Sequence, residues 1–174
     1  MKMIFSADSR GLIGIDGDLA FGSPEDLKRF KGYTTNHTII MGRGTWESLG
    51  DLAPLPKRKS IVVTRDPEFK GSPHTLSSFQ EVLEYEESHP NERVFIIGGK
   101  SLLEGLAKDC DTIYFTRVEN PHQSPKGCLE TKVNLDLIFE GFELTLAKKG
   151  VLPMNDYSGR HINNPQFETW RKEK

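Results

Sequence analysis

Short apolar, β-rich runs recur along the chain at residues 3–7, 38–41, 60–64, 94–97 and 112–116, and helix-start signals stand between them. Most of these runs are apolar at every position, as expected of strands covered on both faces. The helix starts are legible. Ser23-Pro24-Glu25-Asp26 has a capping Ser, Pro at the first helical position and an acid at the third, and Leu27 and Phe30 follow as an apolar face. Ser78-Phe79-Gln80-Glu81 opens a second helix with Phe79, Val82 and Leu83 as its buried stripe. Ser101-Leu102-Leu103-Glu104 opens a third, followed by Leu106 and Ala107. Strand–helix–strand alternation predicts an α/β fold with a mostly parallel central sheet flanked by helices on both faces. The pattern changes after Val118. Residues 119–136 hold two prolines and no clear period, and residues 142–147 and 166–170 then read as strands. Two late strands with no helix between them predict an antiparallel C-terminal edge.

At 174 residues the chain fits one domain, spanning 1–174. Lys+Arg is 23 and Asp+Glu is 25, a balance of −2 that argues against a broad nucleic-acid surface. No apolar run reaches the roughly 18 residues that a membrane span needs. The opening Met1-Lys2-Met3-Ile4-Phe5 is too short for a secretory core and soon meets Asp8. Cys110 and Cys128 form no CxxC, and two reduced thiols in a cytoplasmic protein is the expectation. The five histidines lack metal-ligand spacing, so no metal site is expected. There is no Gly-x-Ser-x-Gly elbow. Gly98-Gly99-Lys100-Ser101 ends like a P-loop, but Val94 stands where the first glycine belongs. Gly11, Gly14 and Gly17 are spaced GxxGxxG, unlike a Rossmann turn.

Three turns at strand ends remain. Ile40-Met41-Gly42-Arg43-Gly44-Thr45 leads into a short helix at 46–49, stopped by Gly50. Ile97-Gly98-Gly99-Lys100-Ser101 precedes the third helix. Thr64-Arg65-Asp66-Pro67 adds a hydroxyl and a guanidinium. Glycines beside free helix-start N–H groups suit phosphate oxygens. Each turn taken singly reads first as structural, but together they favour a dinucleotide, and the Arg and Thr supply suits an extra 2′-phosphate. Asp26 also has two readings. It stands where a capping-box acid belongs. It is also a carboxylate at the mouth of an apolar cleft formed with Leu27 and Phe30, able to pair with an amidine-like heterocycle.

The motifs, in order, resemble those of the dihydrofolate reductases. Gly11-Leu12-Ile13-Gly14-Ile15-Asp16-Gly17-Asp18-Leu19-Ala20-Phe21 is similar to that family's mobile active-site loop. Ser23-Pro24-Glu25-Asp26-Leu27-Lys28-Arg29-Phe30-Lys31 is similar to its substrate helix. Ile39-Ile40-Met41-Gly42-Arg43-Gly44-Thr45-Trp46-Glu47-Ser48-Leu49 is the most specific block. Pro54-Leu55-Pro56-Lys57-Arg58-Lys59, Val94-Phe95-Ile96-Ile97-Gly98-Gly99 and Tyr114-Phe115-Thr116-Arg117 complete a resemblance over roughly residues 3–118.

The resemblance implies a single-domain dihydrofolate-reductase-like fold and NADPH-dependent reduction of 7,8-dihydrofolate to tetrahydrofolate by a cytoplasmic monomer. It makes Asp26 the catalytic carboxylate that binds the pterin and supports its protonation, with Thr116 in the same hydrogen-bond network. Ile4, Phe21, Leu27 and Phe30 would line the substrate pocket, and Arg58 would hold the substrate's α-carboxylate. Arg43, Thr45, Thr64 and Arg65 would grip the phosphates of NADPH. Ser6, Ile13, Gly14, Leu19, Gly42, Gly44, Lys100, Ser101 and Leu102 would complete the cofactor site, with Gly98-Gly99 as the close-approach turn, which has an unusual cis peptide in this family. Three residues depart from the family's pattern. Phe21, after Ala20, stands where the family usually has Trp after Pro. Lys100 replaces a third glycine common in bacterial members. Leu103 stands where Tyr is frequent. Two other readings compete: a same-fold reductase of another pterin or a pyrimidine, and a non-catalytic protein that retains the fold. Asp26 and Arg58 together favour folate.

Overall fold

Residues 2–8 form a strand buried on both faces. β1 (Lys2–Asp8) sends Met3, Phe5 and Ala7 into one core layer and Ile4 into the other. The computed structural model describes residues 1–72 and 74–174. After β1 the chain forms three short strands, β2 (Leu12–Ile15), β3 (Asp18–Leu19) and β4 (Phe21–Gly22), then enters α1 (Pro24–Thr34). Ser23 Oγ accepts from the Asp26 N–H at 3.0 Å, and Glu25 and Asp26 lie in the first turn, where the helix dipole favours acids. Then follow β5 (Thr38–Gly42), α2 (Arg43–Leu49), β6 (Lys59–Val63), β7 (Thr75–Leu76), α3 (Phe79–Ser88), β8 (Val94–Gly98), α4 (Lys100–Leu106) and β9 (Thr112–Val118). The remainder adds β10 (Glu130–Lys132), α5 (Leu135–Phe139), β11 (Phe142–Lys149), β12 (Met154–Asp156), β13 (His161–Ile162) and β14 (Gln166–Lys172).

Eight strands form the main sheet in the order β11-β14-β9-β1-β8-β5-β6-β7. Every pairing from β9 to β7 is parallel, and β14 runs antiparallel to both β9 and β11. The expected α/β architecture and its antiparallel C-terminal edge are therefore present. One face is covered by α1 and α2, through Phe30, Tyr33 and Trp46. The other is covered by α3, α4 and α5, through Val82, Leu102, Leu103, Leu106 and Ile138. Parallel order brings the carboxyl ends of β1, β5, β6, β8 and β9 to one edge, where α/β folds place their ligands.

Local differences from the sequence reading have local causes. β10 and α5 lie within or just after the stretch without a period, and segments of 3 and 5 residues are too short to show one. α2 starts at Arg43 rather than at residue 46, directly on Gly42, and α4 starts at Lys100 on Gly99, so Ser101 is not its cap. Phe79 is 37% exposed and not fully part of the buried stripe. It lies across α4, where a Cβ on Gly105 would come within 2.3 Å of its ring.

The antiparallel edge carries a buried charge. Glu168 on β14 is 1% exposed and accepts from Arg117 Nε at 2.7 Å, Arg117 Nη2 at 3.1 Å, Trp170 Nε1 at 2.8 Å and Gln166 Nε2 at 2.6 Å. Burial pushes its carboxyl up, but these donors outweigh burial and hold it below the ordinary Glu range. Glu168→Ala should destabilise the fold by about 3 kcal/mol at pH 7, the low end for a broken buried pair because Arg117 keeps partial solvent contact. A depressed folded-state value means that this contribution is complete above the unfolded Glu value and is lost as pH falls through the folded one. Urea denaturation of both proteins at neutral and acid pH checks this: the gap must close on acidification.

Candidate active site

Asp26 and Thr116 come from α1 and β9 and meet at the carboxyl edge of the sheet. Thr116 Oγ1 donates to Asp26 Oδ1 at 2.6 Å. The side chain thus turns to β9, while the capping bond at Ser23 uses only the Asp26 backbone N–H. Arg29, one turn further along α1, donates from Nη1 to Thr116 Oγ1 at 3.3 Å and from Nη2 to the Glu168 carbonyl at 3.2 Å. Burial pushes the Asp26 carboxyl above its ordinary value; the Thr116 bond and the Arg29 charge pull it down, and burial prevails. Ile4 is buried in the adjoining apolar cluster, with Phe30, Tyr33 and Tyr114 packed against it. Leu27, next after Asp26, is 62% exposed. Arg58 lies 5.8 Å from the Phe30 ring centroid, donating to Thr34 Oγ1 at 3.2 Å and to the Pro56 carbonyl at 3.1 Å. The ensemble is a carboxylate beside an apolar cluster, with the Arg58 guanidinium over Phe30 further along α1, suited to a flat, amidine-bearing ring that carries an acidic tail.

A second array lies at the ends of β5, β6 and β8. Helices α1, α3 and α5 are capped by the side chains of Ser23, Ser78 and Asn134, whereas α2 and α4 start on Gly42 and Gly99 with no side-chain cap. The Gly98–Gly99 peptide is cis. A Cβ on Gly98 or Gly99 would stand 3.4 or 3.5 Å from Thr45 Oγ1, and one on Gly42 would stand 3.6 Å from Gly99 N and from Leu102 Cδ1. Side chains would fill this cradle; glycines leave backbone N–H groups bare toward it, as phosphate oxygens require. Arg43 pairs with Glu47 at 2.8 Å and with Asp66 at 2.9 Å, and its guanidinium lies 4.8 Å from the Phe69 ring centroid. The Asp66 N–H donates to Thr64 Oγ1 at 3.2 Å within the turn after β6, and the Arg43–Asp66 pair joins that turn to the start of α2 after β5. Arg65, Lys100 and Ser101 are exposed beside them.

Comparison with known proteins adds the family. The family model described as dihydrofolate reductase matches residues 1–128. The chain belongs to the dihydrofolate reductase family. It is 42% identical over 128 residues to the dihydrofolate reductase of Bacillus subtilis (strain 168), covering 72% of this chain and 73% of the relative. It is 30% identical to that of Enterococcus faecium over 172 residues, covering 97% and 95%. The solved dihydrofolate reductase from Enterococcus faecalis complexed with NADP(H) and RAB-propyl superimposes with a TM-score of 0.79 at 28% identity, covering 99% of this chain and 96% of that one. As a dihydrofolate reductase the chain is an oxidoreductase, and the likeness extends through residues 119–174, where the sequence motifs end.

The residues expected to serve a dihydrofolate reductase gather in two groups. Thr116 bonds the Asp26 carboxylate, Ile4 and Phe30 belong to the apolar cluster that adjoins it, Arg58 lies over Phe30, and Ser6 stands opposite Thr116 in register on β1. Gly42, Thr45, Gly98, Gly99 and Leu102 form the glycine cradle, with Gly44 on the first turn of α2. Ile13, Gly14 and Leu19 sit on β2 and β3, Leu19 with its side chain exposed. Phe21 is placed apart from both groups. It is 4% exposed, within a separate cluster of Leu12, Ile15, Ala20, Val118, Met154 and Ile162. Leu103 is buried on the α3–α4 side of the sheet. Arg29 is the residue that sequence reasoning passed over. The signal was available: it follows Asp26 by three positions, on the same helix face.

Proposed function

We propose that Asp26 is the residue on which reduction of 7,8-dihydrofolate to tetrahydrofolate depends in this chain, within one domain spanning 1–174. The bond from Thr116 to Asp26 Oδ1 carries this reading, because it fixes a carboxylate of raised proton affinity at the mouth of an apolar cleft. Asp26 binds the pterin's amidine edge through two parallel hydrogen bonds and supports protonation of the ring nitrogen beside the carbon that is reduced. Ile4, Leu27 and Phe30 supply apolar walls that exclude water from that nitrogen, and Phe21 packs within the lid instead. The cofactor is NADPH, which supplies the hydride when bound. Gly42, Thr45, Gly98, Gly99 and Leu102 fit its phosphates through the bare cradle. Arg43, Thr64, Arg65, Lys100 and Ser101 add charge and hydroxyls, and Ser6, Ile13, Gly14, Leu19 and Gly44 border its path. Residues 11–21 act as the lid.

Oxidation of NADPH by purified protein, followed by absorbance across a pH series, tests the reaction: turnover must depend on dihydrofolate and fall as pH rises. The tail contact has its own test. Arg58→Met should raise KM for dihydrofolate by roughly ten- to a hundredfold, the worth of a charge-assisted hydrogen bond, with little change in kcat. A dihydropteroate lacking the glutamate should show the same KM with either protein; a KM difference that persists without the tail would refute the assignment. The cytoplasmic, monomeric state is part of this proposal, supported by two free thiols, and sedimentation tests the oligomeric state.

A further inference from the structure

Arg29 is half-buried without a direct ion pair, an arrangement that costs stability unless something is gained from it. Among the described residues it makes no direct contact with a carboxylate. Its guanidinium is fixed at four points: 5.3 Å from the Tyr33 ring centroid, 4.8 Å from that of Phe167, and hydrogen-bonded to Thr116 Oγ1 and the Glu168 carbonyl. Arginine has only donors. Thr116 Oγ1 must therefore accept from Arg29, and its one hydrogen is directed to Asp26 Oδ1. The chain of bonds has a single polarity, from Arg29 through Thr116 to Asp26. It leaves Oδ1 as an acceptor, so a proton on Asp26 resides on Oδ2.

We propose that Arg29 is a positioning residue for the substrate-binding carboxylate, fixing through Thr116 which oxygen of Asp26 carries the exchangeable proton and holding the carboxylate charge in place. This rests on the reading of Asp26 given above. The surrounding groups leave Arg29 as the cation that acts on Asp26, Arg58 being turned to Thr34 and the Pro56 carbonyl. On α1, Glu25 is committed to the backbone N–H groups of Val151 and Leu152, and Tyr33 stacks on Tyr114. On β9, Tyr114 and Thr116 are neutral. On β14, Phe167 faces the guanidinium, and the Glu168 carboxylate is bound to Arg117 on the other face of the sheet. The Arg29 charge acts on Asp26 against burial, in the direction of the ionised form.

The test measures the carboxyl itself. Infrared pH titration of ligand-free protein labelled with 13C-aspartate, with Asp26→Asn as the blank, reads the protonation midpoint of Asp26. Removing a positive charge about one side chain away disfavours the carboxylate, so Arg29→Met should move the midpoint upward by about one pH unit. Arg29→Gln keeps a donor for the Glu168 carbonyl and serves if the Met variant does not fold; it should move the midpoint in the same direction. An unchanged midpoint in a folded variant overturns the proposal. The alkaline fall of dihydrofolate turnover should rise with the midpoint, while NADPH affinity stays at the wild-type value. A wild-type protein with no dihydrofolate-dependent turnover would refute the functional reading instead, and the infrared titration would still decide the role of Arg29.

Discussion

Asp26→Asn should lower dihydrofolate turnover at pH 7 by about three orders of magnitude, within the range set by loss of a positioned acid–base group, and leave NADPH binding unchanged. The amide keeps the size of the carboxyl and still accepts from Thr116, so the geometry at β9 survives. It carries neither charge nor an acidic proton, so the pterin's amidine edge loses its partner and the ring nitrogen loses its proton support. The glycine cradle is built from β5, β8, α2 and α4 and shares no residue with this pair, which is why cofactor affinity is spared. Acid should shrink the deficit, because solvent then protonates the substrate without help. Stability should move the other way. Burial holds the Asp26 carboxyl above its unfolded value, so above that value the ionised side chain opposes folding, and a neutral amide relieves the opposition. The melting temperature at pH 7 should be no lower than that of the wild type. Equal losses of turnover and NADPH binding with a lowered melting temperature would make Asp26 a structural residue of the helix start, the rival reading that its position after Ser23 invites.

Much of this molecule can be read along the chain because its main signals are local. Ser23 and Pro24 announce α1, continuous apolar runs announce the parallel strands, and Gly42 and Gly98-Gly99 mark the strand ends that form the cradle. What escapes local reading is held by pairing between distant segments. β2 and β4 have 4 and 2 residues and exist through β10 and β12: Gly14 stands opposite Thr131, and Asp156 opposite Phe21. No window on residues 11–22 contains those partners. The same holds for Phe21, which resembles a pocket-lining residue by position and is taken into the lid's own core by Met154 and Ile162. Arg43 stands on the glycine turn proposed for phosphate, yet in this structure it is paired with Asp66, which arrives from the next strand end. Arg29 acts on Asp26 through a hydroxyl supplied 87 residues later in the chain, so its role becomes visible only when β9 is in place.

The lid's dependence on distant partners also singles out the glycine on which it turns. Gly11 has φ +82°, and a Cβ there would stand 2.1 Å from the Val133 carbonyl oxygen. That oxygen belongs to backbone, so no side-chain rotation relieves the clash. The two segments are also bonded, Val133 N–H to the Gly11 carbonyl at 2.9 Å, and the Gly11 N–H is held by the Asp8 carbonyl at 3.0 Å. Asp8 Oδ1 further accepts from the N–H groups of Arg10 and Leu12. With the turn fixed on the β1 side, an added methyl must push Val133 away and with it Lys132 and Thr131, the residues that β10 pairs with Leu12 and Gly14. Gly11→Ala should therefore cost about 3 kcal/mol, the sum of a left-handed alanine and a backbone displacement. It should also lower kcat by roughly a hundredfold, as expected when a closing element is misplaced by about an ångström. Gly17→Ala supplies the control. Gly17 has φ +83° but nothing within 4 Å of a Cβ, so only conformational strain of about 1–2 kcal/mol per residue applies and kcat should hardly change. Urea midpoints and kcat for the two variants separate the contributions, since the backbone angle is shared and the contact with Val133 is not. If the two variants lose equal stability and equal kcat, contact between Gly11 and Val133 does not hold the lid in place.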